Sequence, residues 1–268
     1  MTPASGLAEA LAPRIAEAGA PLIVGLTGAQ GSGKSALAAR LPAALAAQGL
    51  RATALALDDL YLPKDERRRL AREVHPLFAT RGVPGTHDVP LGLEVMASLG
   101  QARETLIPSF DKAADDRRPR DQWPRVEGPF DVIVFEGWCV GARPQPDELL
   151  AEPVNDLERT RDAAGVWRRF ANEALAGPYR ALFGLIGFQA LLAAPDFEVV
   201  LSWRRQQEHE LIARGGVGQS DAELVTFVQH YERLTRWINA EMPSRADVVV
   251  QLGRGREVIA VTSDSQQG

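Results

Sequence analysis

Pro21-Leu-Ile-Val-Gly-Leu-Thr27 is a short apolar run that leads directly into Gly28-Ala29-Gln30-Gly31-Ser32-Gly33-Lys34-Ser35. An apolar run of this length, bounded by proline and glycine, fits a strand buried on both faces of a parallel sheet. The eight residues after it satisfy GxxxxGK[ST]. Residues 34–48 are helix formers; Pro42 is expected to kink the helix and Gly49 to stop it. Strand, glycine loop and helix together make an anion cradle. The glycines let the backbone turn its N–H groups inward, and the helix N-terminus favours negative charge. Lys34 is expected to reach the β- and γ-phosphates of a nucleotide, and the Ser35 hydroxyl to bind Mg2+. The motif alone leaves the reaction open, because GTPases, ATPases and small-molecule kinases share it. The Asn/Thr-Lys-x-Asp motif of guanine readers does not follow the later strands, which lowers the GTP reading.

Outward from this loop, strands and helices alternate. Residues 5–19 read as a helix with Leu7, Leu11 and Ile15 on one face. Arg51–Leu57 reads as a second strand ending at Asp58-Asp59, and Lys64–Val74 as a charged helix. Residues 81–90 are turn-rich, 91–104 helical, and 108–130 a long polar loop. Asp131–Phe135 is the third strand, followed by Glu136. Residues 147–177 read as mostly helical, Phe197–Trp203 as a fourth strand and Arg204–Arg214 as a helix. Ser220-Asp-Ala-Glu223 has capping-box spacing and opens a long helix to about Met242. Asp247–Leu252 is the fifth strand, with Glu257–Val261 a sixth at most. This alternation predicts an α/β protein with the P-loop NTPase fold, a parallel sheet of about five strands flanked by helices. One domain over 1–268 is expected, with an insertion near 60–130 for an acceptor and a lid near 204–220.

Composition narrows the classes. The 268 residues are 45% hydrophobic and 24% charged, so a globular core is available and disorder or coiled coil is excluded as a whole-chain description. A net charge of -5 argues against a dedicated nucleic-acid binder. Cys139 is the one cysteine, which excludes an intramolecular disulfide and a multi-cysteine zinc site and suits a reducing cytosol. Residues 1–20 lack a signal peptide's basic start and apolar stretch, and Ala181–Ala194 is too short to span a bilayer. No membrane partner and a cytoplasmic location are the expectation.

In open α/β sheets, ligands sit beyond the carboxyl ends of the strands. Asp58 and Asp59 follow the second strand and Glu136 the third, so all three are expected near the phosphate loop. Phosphoryl transfer needs an acid to hold metal and a group to orient or deprotonate the attacking hydroxyl. Asp58 and Glu136 fit these jobs, Glu136 standing where a Walker B strand more often ends in Asp.

These residues carry a resemblance. Leu57-Asp58-Asp59-Leu60-Tyr61 is similar to the Asp-x-Phe-Tyr element of uridine kinase, phosphoribulokinase and bacterial pantothenate kinase. Arg81-Gly-Val-Pro-Gly-Thr-His87-Asp88, Phe110-Asp111-Lys112, Trp123-Pro124 through Phe135-Glu136-Gly137-Trp138, and Trp203-Arg204 resemble the corresponding segments of the D-glycerate 3-kinase family. The similarity covers roughly residues 20–252. It implies that Asp58 is the general base on the acceptor hydroxyl, with Ser35, Glu136 and Asp58 the expected metal residues. It also implies that Asp59, Tyr61, Arg81, His87, Asp88 and Lys112 border the acceptor. The chain departs from the pattern at Leu60, where Phe is usual, in the short charged loop after Lys112, and in extra helix-like sequence over 155–180.

An anionic acceptor calls for positive charge, and Arg81, His87 and Lys112 are the candidates, Arg because its fork matches a carboxylate. Arg204 and Arg205, before Gly215, Gly216 and Gly218, fit a lid that meets charge on the transferring phosphoryl group. Arg67–Arg69 reads as a solvated helix face, and Trp123, Trp138 and Trp203 mainly as core. The expected function is an ATP- and Mg2+-dependent kinase for a small hydroxy acid, with D-glycerate to 3-phosphoglycerate the best guess. The alternatives are a kinase for a nucleoside or pantothenate-like metabolite, and a nucleotide-binding switch ATPase with a protein partner.

Overall fold

The apolar run forms strand β1 (Leu22–Gly28), after helix α1 (Pro3–Glu17), whose Leu7, Leu11 and Ile15 are buried. The computed structural model describes residues 3–263, apart from 214 and 217. Pro42 does more than kink the next helix. It has no N–H to bond the carbonyl of Ala38, and the chain makes two short helices, α2 (Lys34–Ala38) and α3 (Leu41–Ala46). Strand β2 (Ala52–Ala56) ends in a tight turn, Leu57–Leu60, that carries both aspartates. Helices α4 (Lys64–Glu73) and α5 (Val89–Leu99) follow. The second begins and ends earlier than its sequence suggests, because Asp88 caps it, accepting from Leu91 N at 3.1 Å, and Pro90 fits its first turn.

The 108–130 segment is less irregular than read. Two small antiparallel ribbons organise it. β3 (Glu104–Leu106) pairs with a later strand, and between them β4 (Phe110–Asp111) pairs with β5 (Asp116–Arg117). The partner of β3 is β6 (Arg125–Glu127). Strands of two or three residues are too short for a periodic pattern to register. β7 (Val132–Gly137) is buried along its whole length. Helices α6 (Asp156–Arg161) and α7 (Val166–Ala176) fall inside the expected helical stretch of 147–177, and α8 (Pro178–Phe183) follows beyond its end.

The fourth strand is not Phe197–Trp203. It is β8 (Phe188–Ala193), and the 197–203 run opens helix α9 (Glu198–Ala213). Asp196 accepts from Val199 N at 3.0 Å to start that helix, and Val199, Val200 and Trp203 are buried. A short apolar run serves a buried helical turn as well as a strand, and the Asp three residues before Val199 tips it to helix. Helix α10 (Asp221–Glu241) opens on the expected Ser220–Glu223 capping box. β9 (Val248–Leu252) and β10 (Val258–Ser263) complete the described chain.

The main sheet has six strands in the order β10-β9-β8-β1-β7-β2. Only β10 runs antiparallel. One face packs on α1, α2, α3 and α9, the other on α5, α8 and α10. The register puts Glu136 beside Leu26 of β1 and Ala56 of β2. The glycine loop, Glu136 and Asp58 therefore emerge from neighbouring strands at one end of the sheet.

Candidate active site

The phosphate loop is shaped by its neighbours. Gly31 has φ 82°, and a Cβ there would come within 2.6 Å of the Trp203 Cβ, so α9 packs directly against the loop. Gly33 has φ 90° and open space on its Cβ side. The buried side-chain oxygens of Gln30 and Ser32 have no protein partner among the described residues. Ala29 is buried, and Gly28 is packed against Ser32 and Leu192. Lys34 begins α2, and no ion pair engages it among the described residues. Ser35 Oγ lies 2.7 Å from Glu136 Oε1, and Glu136 is buried. Two hard oxygen donors side by side fit Mg2+, which takes one or two protein oxygens and completes its shell with phosphate and water. Among the described residues no cluster of three or more His, Cys, Asp or Glu offers a dedicated metal cage.

Opposite the loop, both Asp58 carboxylate oxygens are occupied. Oδ1 accepts from the Tyr61 hydroxyl at 3.0 Å and Oδ2 from Lys112 Nζ at 2.7 Å. Burial pushes the Asp58 carboxyl up, but the Lys112 ammonium, Lys34 and the Tyr61 hydroxyl together outweigh it and bring it down to about 2. Lys112 is raised in turn by Asp58. Asp59 turns the other way and accepts from Phe110 N at 3.0 Å, fixing the β4–β5 ribbon to the aspartate turn; burial raises its carboxyl.

The Asp58-to-Tyr61 segment and the 81–88 segment are clamped together. Leu62 N donates to Thr86 O at 2.9 Å and Asp88 N to Leu60 O at 2.7 Å. The Tyr61 and His87 rings stack with centroids 4.5 Å apart. His87 is buried, and that burial lowers it to about 3, so it is neutral and does not supply the positive charge expected of it. Nor does it bond to Asp88. Its Nδ1 lies 2.6 Å from the Tyr179 hydroxyl, while Asp88 caps α5 and pairs with Arg117 at 3.0 Å. Arg81 is paired with Asp115 and lies over the Phe110 ring. Arg204 is paired with Glu208, bonds Gln207 at 2.9 Å and lies over Phe227. Each expected cation except Lys34 thus carries a carboxylate or is uncharged.

The solvated reading of 67–69 holds at Arg68 and Arg69, which are exposed, and fails at Arg67. Its side chain is fully buried, with Nη1 on Ala79 O at 2.9 Å and Nη2 on Asp115 O at 2.6 Å. Arg67, Leu70 and Val74 share one helix face, and that spacing is the signal that marks Arg67 as inward. Asp115, at φ 54°, takes a left-handed conformation that Asp tolerates and gathers Arg67 and Arg81 around one turn. Tyr231 is a further neighbour absent from the sequence reading; its hydroxyl donates to Arg81 O at 3.1 Å. Trp123, Trp138 and Trp203 are all buried. Of the lid residues, Arg205 reaches Asp221 at 3.5 Å, and Gln219 N donates to Glu208 at 3.1 Å. Arg214 and Val217 lie outside the described residues. No helix among the described residues is long and apolar enough to cross a membrane.

Comparison with known proteins agrees with this geometry. The profile of the family described as methylmalonyl Co-A mutase-associated GTPase MeaB matches residues 3–61, the part holding the phosphate loop. A longer match, 35% identical over 223 residues, is to an uncharacterized kinase of Schizosaccharomyces pombe, covering 80% of this chain and 79% of that protein. The chloroplastic D-glycerate 3-kinase of Arabidopsis thaliana is 30% identical over 242 residues, which cover 85% of this chain and 50% of that protein. The structure of D-glycerate 3-kinase from Cryptococcus neoformans var. grubii superposes with a TM-score of 0.79 at 27% identity, covering 97% of each chain. With phosphate loop, aspartate turn and Glu136 at one sheet end, the chain belongs to the family of P-loop kinases that includes D-glycerate 3-kinase.

Proposed function

We propose that this kinase transfers the γ-phosphoryl group of ATP to a hydroxyl of a small hydroxy acid, D-glycerate giving 3-phosphoglycerate. The observation that carries the reading is Asp58, an ionised carboxylate held by Tyr61 and Lys112 at the end of β2, within the field of Lys34. The loop backbone and Lys34 bind the phosphates. Ser35 and Glu136 would hold Mg2+, which neutralises charge on the phosphate oxygens. Asp58 orients the acceptor hydroxyl and takes its proton as the new O–P bond forms and the β,γ-bridging bond breaks. Lys112, exposed on its ribbon, turns from Asp58 to the acceptor's carboxylate. The 60–130 insertion reads the acceptor and the 204–220 segment closes over the nucleotide.

ADP release is to be measured with D-glycerate, uridine, pantothenate and ribulose 5-phosphate. Turnover with D-glycerate alone is the expected result; turnover with another acceptor reassigns the substrate. The family-profile match over residues 3–61 favours one second reading, a nucleotide switch. Slow hydrolysis insensitive to all four acceptors would select it. Asp58→Asn should lose turnover by about two to four orders of magnitude while still binding ATP, and near-normal turnover would remove Asp58 from the chemistry.

A further inference from the structure

We propose that Tyr179, acting through the imidazole of His87 and the ring of Tyr61, is a positioning residue for the Asp58 carboxylate. The proposal rests on the reading of Asp58 as the group that receives the acceptor's proton. It gives the extra helical sequence over 155–180 a part in the reaction, since Tyr179 belongs to α8.

The proton inventory sets the direction of the chain. Tyr179 is 1% exposed, and its hydroxyl oxygen accepts from Gly85 N at 3.0 Å. Its own hydrogen then has one acceptor in reach among the described residues, His87 Nδ1 at 2.6 Å. That makes Nδ1 the bare nitrogen and puts the ring proton on Nε2. The opposite tautomer would leave both the Tyr179 hydrogen and the Nε2 lone pair unmatched in a buried space; this one leaves only the Nε2–H, which has no partner among the described residues. His87 is 5% exposed, so its ring has no alternative water-facing position.

The fixed imidazole then fixes Tyr61. The two rings stack at 4.5 Å with 23° between their planes, and Phe110 meets Tyr61 edge-on at 5.2 Å. Arg117 holds the Tyr61 carbonyl at 2.8 Å. Backbone and ring are therefore both constrained, and the Tyr61 hydroxyl has a set position from which it donates to Asp58 Oδ1. Pinning Oδ1 leaves Oδ2 as the oxygen that faces the incoming acceptor once Lys112 departs.

Tyr179→Phe removes the hydroxyl and keeps the ring that packs edge-on against Phe183 at 5.5 Å. The wild-type 15N imidazole spectrum should show His87 with Nδ1 unprotonated and Nε2 protonated; Tyr179→Phe should lose that single form. With ATP and D-glycerate, Tyr179→Phe should lower kcat about tenfold, as should Tyr61→Phe, with KM for ATP unchanged. The double variant should lose no more than either single, because both cut one chain. A protonated Nδ1 in the wild type, unchanged kcat in Tyr179→Phe, or additive losses would each overturn the proposal. Absence of wild-type turnover would instead overturn the reading of Asp58, while the spectrum still reports the tautomer.

Discussion

His87 shows how environment sets what a residue contributes. Its sequence neighbours Gly82, Pro84 and Gly85 mark a functional loop, and imidazole is an obvious partner for an anionic acceptor. Burial lowers it to about 3 from an ordinary value of 6.5, so at neutral pH it offers packing and one hydrogen bond. The sign of the pH effect follows. Between those two values the unfolded chain binds a proton at His87 that the folded chain refuses, so stability falls as pH falls through that range, by at most about 1.4 kcal/mol per pH unit. His230, also lowered by burial, adds to the same trend. Urea unfolding from about pH 7 down to about pH 5 should show this loss, and His87→Gln should flatten the slope. An unchanged slope would mean that His87 is protonated in the fold. Sequence could name His87 but not its charge, because that depends on α8, about ninety positions further on. The places of Asp58, Lys34, Ser35 and Glu136 in the fold are legible for the opposite reason, since each sits at a strand end or loop whose geometry is local.

At the scale of elements, a buried ion pair ties the short helix α6 to α10. Glu158 of α6 is fully buried and meets Arg233 of α10 with Oε1–Nε at 2.8 Å and Oε2–Nη2 at 2.6 Å. Arg233 also donates to Leu149 O and Glu152 O, each at 2.6 Å, and to Gln145 Oε1 at 3.5 Å. Removing one member leaves the other charged and dry, so Glu158→Ala should cost about 3–5 kcal/mol. Replacing both, as Glu158→Leu with Arg233→Met, should recover most of that loss. Denaturant midpoints check this, and a loss below about 1 kcal/mol in the single variant would show that water reaches the pair. Polarity at 158 and 233 reads as surface in a sequence window because the partner lies on another helix. Phe197–Trp203 is the same problem in reverse. Its apolar residues suit strand or helix, and the choice depends on β8 having already taken the sheet position between β1 and β9. Elements with their own punctuation, such as β1 with its glycine loop and α10 with its capping box, needed no such context.

For the whole molecule, the net charge of -5 is not reversed at the site by a surplus of free cations. Lys112, Arg81 and Arg204 each face a carboxylate. Lys34 is the one charged member of the expected cations with no ion-pair partner among the described residues, and it begins α2 directly after the glycine loop. On the proposed function its charge serves the phosphates, and in the free protein it adds to the pull of Lys112 on the Asp58 carboxyl as the weaker of the two. Lys34→Ala should leave the melting temperature of the ligand-free protein within the change expected of a surface substitution, about 0.5 kcal/mol. A non-hydrolysable ATP analogue with Mg2+, at about a hundred times its Kd, should stabilise the wild type by about 2.7 kcal/mol. In a chain of this size that is a rise of about 5–10 °C. The same additions should give Lys34→Ala a much smaller rise, since the phosphates lose the one cation not already paired. Scanning fluorimetry of both proteins with and without the analogue decides the matter. Equal ligand shifts would show that the backbone N–H groups and the paired arginines bind the phosphates unaided. A lower ligand-free midpoint in Lys34→Ala would show that the lysine supports the fold as well as the ligand.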